Sequence, residues 1–392
     1  MAVPEDGVEK VRAAGLEAVS ILPSYASICD RLGMGEEHLA ARILADSSFV
    51  IDKILMPSLR SSTAALDRLA AGADVIASSI FAFAGEIVAE KRGLPLARIV
   101  LQPMTLFSAW EPPSAPRFEL MRHHPRTSLG RSWNRIFFSL VRVMLRRRYG
   151  RDIDAVRAEH GLAPTKRAPM LDLGSATAAT LCCWSSVLGR LPTDAPRDAA
   201  LIGFPFFDSE SGGQDVLAPE LASFLGAGDP PLVFTLGSFA VSSPGRFYEE
   251  AAAVSRMLGR RAVLLTGQSG APRLEGDTLF MGYAPHSAVF PQAAIIVHHG
   301  GIGTTGQALR AGRPQVIVPH FGDQFDNAVR VESAGVGVMV KRERFERIRL
   351  RDTLSDVLSD TKMADAAILA AEKIASEDGT ADASRRISAL SA

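Results

Sequence analysis

"IIVHHGGIGTTGQALRAGRPQVIVPHFGDQFDN", residues 295 to 327, joins two short apolar runs through paired histidines, a glycine-rich turn and a helical pattern, and ends on Asp-Gln. Ala294 to Val297 reads as a buried strand and Thr304 to Ala311 as a helix. "HHGGIG" is then the turn from a strand's carboxyl end into a helix's amino end. Free backbone N–H groups and the helix dipole favour an anion there, and Gly300, Gly301 and Gly303 let a phosphate approach the backbone. The turn carries neither the Lys-Ser/Thr pair of a Walker loop nor a GxGxxG fingerprint. An imidazole beside it supplies a hydrogen bond or a positive charge to a diphosphate, which matters most if that diphosphate departs in a reaction. Taken alone, the turn fits tight packing equally well.

The next strand separates these readings. "PQVIVPHFGDQ" puts Pro319, His320, Asp323 and Gln324 beyond a neighbouring strand's carboxyl end, where ligands bind in open α/β sheets. A carboxylate beside an amide suits a polyol, because together they accept from and donate to several hydroxyls. Upstream, "FMGYAPHSAVFP" sets Tyr283 where a base can stack, followed by Pro285 and His286.

The same strand–helix alternation runs along the whole chain. "PLVFTLGS" (231 to 238), "RAVLLTG" (261 to 267), "AAIIVHHG" (293 to 300), "PQVIVPH" (314 to 320) and "GVGVMV" (335 to 340) form one series, and "DVIAS" and "ARIVLQ" belong to another. Each predicts a parallel sheet covered by helices. The expected organisation is a Rossmann-like N-terminal domain at 1–207, a linker with one short helix at 208–230, a Rossmann-like C-terminal domain at 231–363, and closing helices at 364–392 that cross back to the first domain. A length of 392 residues suits two domains.

Composition narrows the function classes. Lys plus Arg and Asp plus Glu are 43 each, so no global field draws the chain to nucleic acid. Cys29, Cys182 and Cys183 lack metal-ligand spacing and read as reduced cytosolic residues. "RSWNRIFFSLVRVMLRRRYGR" (131 to 151) is a basic amphipathic helix. A packed helix with a solvated arginine face is the favoured reading, and peripheral contact with the inner membrane face the second. The Asp-x-Asp of "RDID" (151 to 154) falls at a predicted helix start, where acids favour the dipole, and no metal is expected.

The ordered set of Gly237 and Ser238, "YAPH", "HHGGIGTT", "ALRAGRPQ" and "PHFGDQ" resembles nucleotide-sugar-dependent glycosyltransferases of the two-Rossmann GT-B kind. That family includes the UDP-glycosyltransferases and the bacterial macrolide, glycopeptide and sterol glycosyltransferases. "GFPFFD", "GGIG" and "DQFDNA" look closest to bacterial rhamnosyltransferases of the rhamnolipid type. The resemblance implies two domains facing across a cleft, the second binding the donor. It gives the diphosphate to Gly237, Ser238, Gly301, Gly303 and Thr304 with His299 or His298, and the nucleoside to Tyr283, Pro285 and His286. The transferred sugar falls to Asp323, Gln324 and His320. Gln307 stands where the family often has a ribose-binding glutamate, which leaves both UDP and dTDP open. Met104, Phe107 and Trp110, in a proline-containing loop, are the expected wall for a lipophilic acceptor.

The implied activity is metal-independent, inverting transfer of rhamnose or glucose to a hydroxyl of a hydrophobic small molecule or lipid. One departure is at the start. "MAVPEDGVEKVRAAGLEAVSIL" looks like the end of the family's second strand and the next helix, so the first strand–loop–helix and its general base are expected to be missing. A start assigned too far downstream is the favoured explanation. The catalytic base is therefore unassigned, and His38, His123 and His124 read as surface residues. Loss of a positioned base costs about 10²- to 10⁴-fold in rate, so the alternative is a catalytically weak nucleotide-sugar-binding or helper protein. A nucleotide-sugar epimerase fits the motif set less well.

Overall fold

The computed structural model describes residues 1–46, 48–123, 125–209, 217–237, 241, 244–342 and 345–391. They group into two compact units, one of Met1–Gly33, Ser47–Phe206 and Asp378–Ala392, the other of Met34–Asp46 and Phe207–Glu377.

In the first unit β1 (Ala2–Pro4) and β2 (Val19–Leu22) pair in parallel. A second sheet takes β3 (Ile76–Ser79), β4 (Leu96–Val100), β5 (Thr177–Cys182) and β6 (Ala199–Leu201) in that order, all parallel. Between β3 and β4 the helix Phe83–Arg92 stops at Gly93, whose φ of +64° provides the left-handed cap. Its inner face, Phe83, Ala84 and Ile87, packs with Leu145, Tyr149 and Ile153 of a long helix, Ser128–Glu159. That long helix begins where Thr127 Oγ1 accepts from the Gly130 N–H at 3.2 Å.

The long helix corrects two expectations. Asp152 and Asp154 lie in its interior, not at a helix start, and Asp154 accepts from Arg146 and from the Thr165 N–H. Nor is its outer face simply arginine. Leu129, Trp133, Ile136, Leu140 and Val143 all stand exposed, while Arg142 and Arg148 pair with Asp172 and Asp52.

The second unit is built on seven strands: β7 (Leu232–Thr235), β8 (Ala262–Leu265), β9 (Arg273–Glu275), β10 (Thr278–Met281), β11 (Ile295–His298), β12 (Gln315–Ile317) and β13 (Gly337–Met339). Their order is β13-β12-β11-β7-β8-β10-β9, and only β9 runs antiparallel to its neighbour. Leu232, Phe234 and Leu264 face one core, while Val233, Val263 and Leu265 face another. Burial on both faces is why these strands read as unbroken apolar runs.

The segment expected as a linker holds a packed helix, Pro219–Gly226, whose Leu221 and Leu225 join the second core. At the chain's end, the helix Thr361–Ala375 packs on the helix Ile302–Arg310 of the second unit. Only from Asp378, later than the expected residue 364, does the chain group with the first unit, where Ala383 and Ile387 pack beside Leu181.

Candidate functional site

The strand order reverses between β7 and β11: the chain moves outward from β7 through β8 and β10, then returns to place β11 on the other side of β7. Thr235 and His298 are register partners at the carboxyl ends of these two strands. The Gly237 turn and the "HHGG" turn therefore flank the topological switch point, where open α/β sheets bind ligands.

Packing dictates part of the turn. Gly300 has φ +91°, and a Cβ there would lie 2.7 Å from Ile317 Cγ2 and 3.1 Å from the Gln324 carbonyl oxygen. A side chain at Gly303 meets nothing within 4 Å, so packing does not require that glycine. Gly301 caps the helix Ile302–Arg310 with no side-chain hydrogen bond to its first-turn N–H groups.

The adjacent histidines have different surroundings. His298 is fully buried, accepts from the Gly300 N–H at Nδ1 (3.1 Å), and has Nε2 2.9 Å from Gln315 Oε1. The first bond fixes Nε2 as the protonated nitrogen, so a neutral His298 spends both nitrogens inside the fold. This removes it from the expected diphosphate ligands. The His299 ring lies between two glycines: a Cβ on Gly237 would come within 2.3 Å of its Nε2, and one on Gly301 within 2.4 Å. Its Nδ1 is buried and has no partner among the described residues. Burial, with smaller contributions from neighbouring histidines, pushes His299 down to about 3, so it is uncharged at neutral pH.

Beyond β12, Gln324 Oε1 accepts from the His320 and Phe321 N–H groups at 2.7 and 3.1 Å. Its amide nitrogen has no partner among the described residues. Asn327, fully buried, donates to the Gly300 carbonyl at 2.9 Å and to Asp323 Oδ2 at 3.0 Å, tying the two loops together. Burial pushes the Asp323 carboxyl up to about 6, against the opposing hydrogen bond from Asn327. His320 donates from Nδ1 to the Val318 carbonyl, and burial lowers its pKa. Upstream, Tyr283 is exposed, Pro285 is buried, and His286 stacks on Phe290 at 4.4 Å, with burial taking it down to about 4.

The second unit thus gathers His299, Gly301, Gly303, Thr304 and Gln307 on one strand–turn–helix, with His320, Asp323 and Gln324 on the adjoining loop. His299 Nδ1, Thr305 Oγ1, Gln307 Oε1 and Asn327 Oδ1 are buried there without partners among the described residues. Ser238 lies outside the described residues, as does His124. His38 and His123 are exposed. Met104, Phe107 and Trp110 belong to the first unit, where Phe107 meets Phe118 and Phe138 and the Trp110 ring lies under Arg135 at 4.6 Å. Among the described residues no group of three His, Cys, Asp or Glu is placed to hold a metal ion.

Three polar residues escaped the sequence reading. Asn327 was findable, since Asp323 and Asn327 are four apart on a helical pattern. Gln315 and Asp208 fall inside stretches that the resemblance already marks, "ALRAGRPQ" and "GFPFFD", but nothing local pairs them with His298 and Gln307.

Residues 268–390 match the family described as the erythromycin biosynthesis protein CIII-like (EryCIII-like) C-terminal domain. The chain is 36% identical over 235 residues to the O-mycaminosyltylonolide 6-deoxyallosyltransferase of Streptomyces fradiae, covering 59% of this chain and 54% of that protein. It therefore spans about half the length of that curated relative, and less of several sterol glucosyltransferases. Among solved structures, the glycotransferase of kitacinnamycin aligns with a TM-score of 0.68 at 19% identity, over 99% of this chain and 90% of the other. Spinosyn rhamnosyltransferase SpnG, complexed with thymidine diphosphate, aligns at 0.61 and 18% identity, over 99% and 91%. The fold is that of the GT-B glycosyltransferases.

Proposed function

We propose, from the match of residues 268–390 to the EryCIII-like C-terminal domain family, that the protein is an inverting, nucleotide-sugar-dependent glycosyltransferase. The observation that carries this is His299, neutral and with a buried unpartnered nitrogen, set between Gly237 and Gly301 beside an uncapped helix amino end. The diphosphate of a dTDP- or UDP-sugar binds there, taking backbone N–H groups at Gly301, Gly303 and Thr304 and a hydrogen bond from His299. Close approach of phosphate explains the glycine at 303 that packing does not require. Asp323, Gln324 and His320 hold the hexosyl group, rhamnose or glucose, and Tyr283 stacks on the base. The first unit takes a hydrophobic hydroxylated acceptor, with Met104, Phe107 and Trp110 contributing to its wall.

In the reaction the acceptor oxygen attacks the anomeric carbon as the bond from that carbon to the diphosphate oxygen breaks. The acceptor proton leaves to a base, and the helix end and His299 stabilise charge gathering on the diphosphate. Calorimetric titration with dTDP and UDP, followed by mass detection of a glycosylated acceptor, tests the proposal. Binding of one nucleotide and a mass gain of one hexosyl or deoxyhexosyl unit are expected. A folded protein that binds neither nucleotide overturns the donor site; binding without any transfer favours a helper protein.

The long helix supports a second element, contact with an anionic lipid surface at the cytoplasmic face. Leu129, Trp133, Ile136, Leu140 and Val143 repeat at four- and three-residue steps and are all exposed. Between residues 128 and 151 the helix carries seven arginines and no acid; Arg142, Arg146 and Arg148 pair with Asp172, Asp154 and Asp52, and the other four leave a positive excess, so two copies would face each other with like charge, whereas anionic headgroups complement it. No helix among the described residues is long and apolar enough to cross a membrane. Phosphatidylglycerol vesicles are expected to sediment the protein, phosphatidylcholine vesicles to leave it in solution, and Leu140→Glu to release it. Equal sedimentation of wild type and Leu140→Glu would rule the contact out.

A further inference from the structure

Gln307 stands on the helix Ile302–Arg310, at the position the family resemblance gives to a ribose-binding carboxylate. Its Nε2 donates to Asp208 Oδ1 at 2.8 Å, a residue 99 positions earlier in the chain. Arg310 Nη1 meets the other carboxylate oxygen of Asp208 at 2.6 Å. An ionised carboxylate can only accept, so Asp208 dictates which way the Gln307 carboxamide faces: nitrogen toward Asp208, oxygen away from it. That oxygen is buried and has no donor among the described residues. A buried acceptor without a donor is costly, and a ligand hydroxyl relieves that cost.

We propose that Asp208 is a positioning residue for the donor nucleoside, locking Gln307 so that its carbonyl oxygen accepts from a ribose hydroxyl. This rests on the donor-site reading above and deepens it. A glutamine by itself turns over between two nearly isosteric states, one accepting and one donating. Paired with Asp208 it becomes a one-way acceptor, the property that a carboxylate at position 307 has unaided. The 3′-hydroxyl, present in both dTDP and UDP, is the group assigned to it.

The test is calorimetry with dTDP and 3′-deoxy-dTDP on four proteins: wild type, Asp208→Ala, Gln307→Glu, and the double variant Gln307→Glu with Asp208→Asn. Wild type is expected to prefer dTDP by about tenfold, the worth of one good hydrogen bond. Asp208→Ala should bring that preference to within about twofold and leave affinity for the 3′-deoxy nucleotide unchanged. Gln307→Glu sets two carboxylates side by side and weakens dTDP. The double variant reverses the pair's polarity, an Asn amide now donating to the Glu carboxylate, and should restore the preference. Asp208→Ala weakening both nucleotides equally, or a double variant no better than Gln307→Glu, overturns the proposal. Wild type binding neither nucleotide overturns the donor-site reading itself, before any variant is compared.

Discussion

His299→Ala is expected to lower kcat/KM for sugar transfer by about 10²- to 10³-fold while lowering the thermal midpoint less than His298→Ala does. The magnitude is that of removing one preorganised donor from developing negative charge in an enclosed site. The stability cost should come from the lost packing of the ring against Gly237 and Gly301 alone, because Nδ1 of His299 has no partner among the described residues to lose. His298→Ala should behave the other way round. It strips partners from the Gly300 N–H and from the Gln315 side chain and opens a hole at a residue with no exposure, so a loss of several kcal/mol of stability is expected. Asp323→Ala supplies a third pattern. On the proposed assignment its carboxylate serves the transferred sugar, so binding of the free nucleoside diphosphate should survive while binding of the sugar nucleotide weakens. Steady-state kinetics, thermal melts and calorimetry on the three variants separate these outcomes. An inactive but stable His298→Ala beside an active His299→Ala would exchange the roles given to the two histidines.

The contrast between the histidines also marks where sequence reading reaches its limit. Strands buried on both faces announce themselves, and β7, β8, β11, β12 and β13 all arise from apolar runs visible in the chain. The β9 and β10 hairpin does not, because β9 is Arg-Leu-Glu, exposed throughout, and offers no apolar run to pair across the turn at Gly276 with β10. Likewise the donor-side residues sit together because consecutive strand ends and one helix bring "HHGGIGTT" to the loop of "PHFGDQ". Which histidine is free is set elsewhere, by Gln315 on β12 at one side of β11 and by Gly237 in the turn after β7 at the other. Asp208 stands within the quoted "GFPFFD", yet its role is hidden for the same reason: its effect on Gln307 is a tertiary contact between segments 99 residues apart. The long helix is legible as amphipathic, but which face the protein covers depends on partners such as Phe83 and Ile87 that the helix sequence does not contain.

Acidification from pH 6.5 toward pH 4 is expected to destabilise the protein, because the buried His298 and His299 and the partly buried His286 near the turn must stay neutral. Burial takes His286 and His298 down to about 4 and His299 to about 3, whereas an unfolded histidine titrates near 6.5. Between those values the unfolded chain binds protons that the folded chain refuses, so stability rises with pH and falls as pH drops. Each such group contributes up to about 1.4 kcal/mol per pH unit. Asp323 has the opposite sign. Its carboxyl is raised to about 6, so the folded state holds a proton that the unfolded state has released, and acidification through pH 6 favours folding. Three histidines outweigh one carboxyl, leaving a net loss of about 2 to 3 kcal/mol per pH unit between pH 6 and pH 5. Urea unfolding at half-unit steps from pH 7.5 to 4.5 measures the slope. His286→Phe provides the internal control, since a phenyl ring keeps the stack on Phe290 and cannot take a proton. Its slope should be shallower by up to about 1.4 kcal/mol per pH unit, and an unchanged slope would place the acid sensitivity outside this cluster.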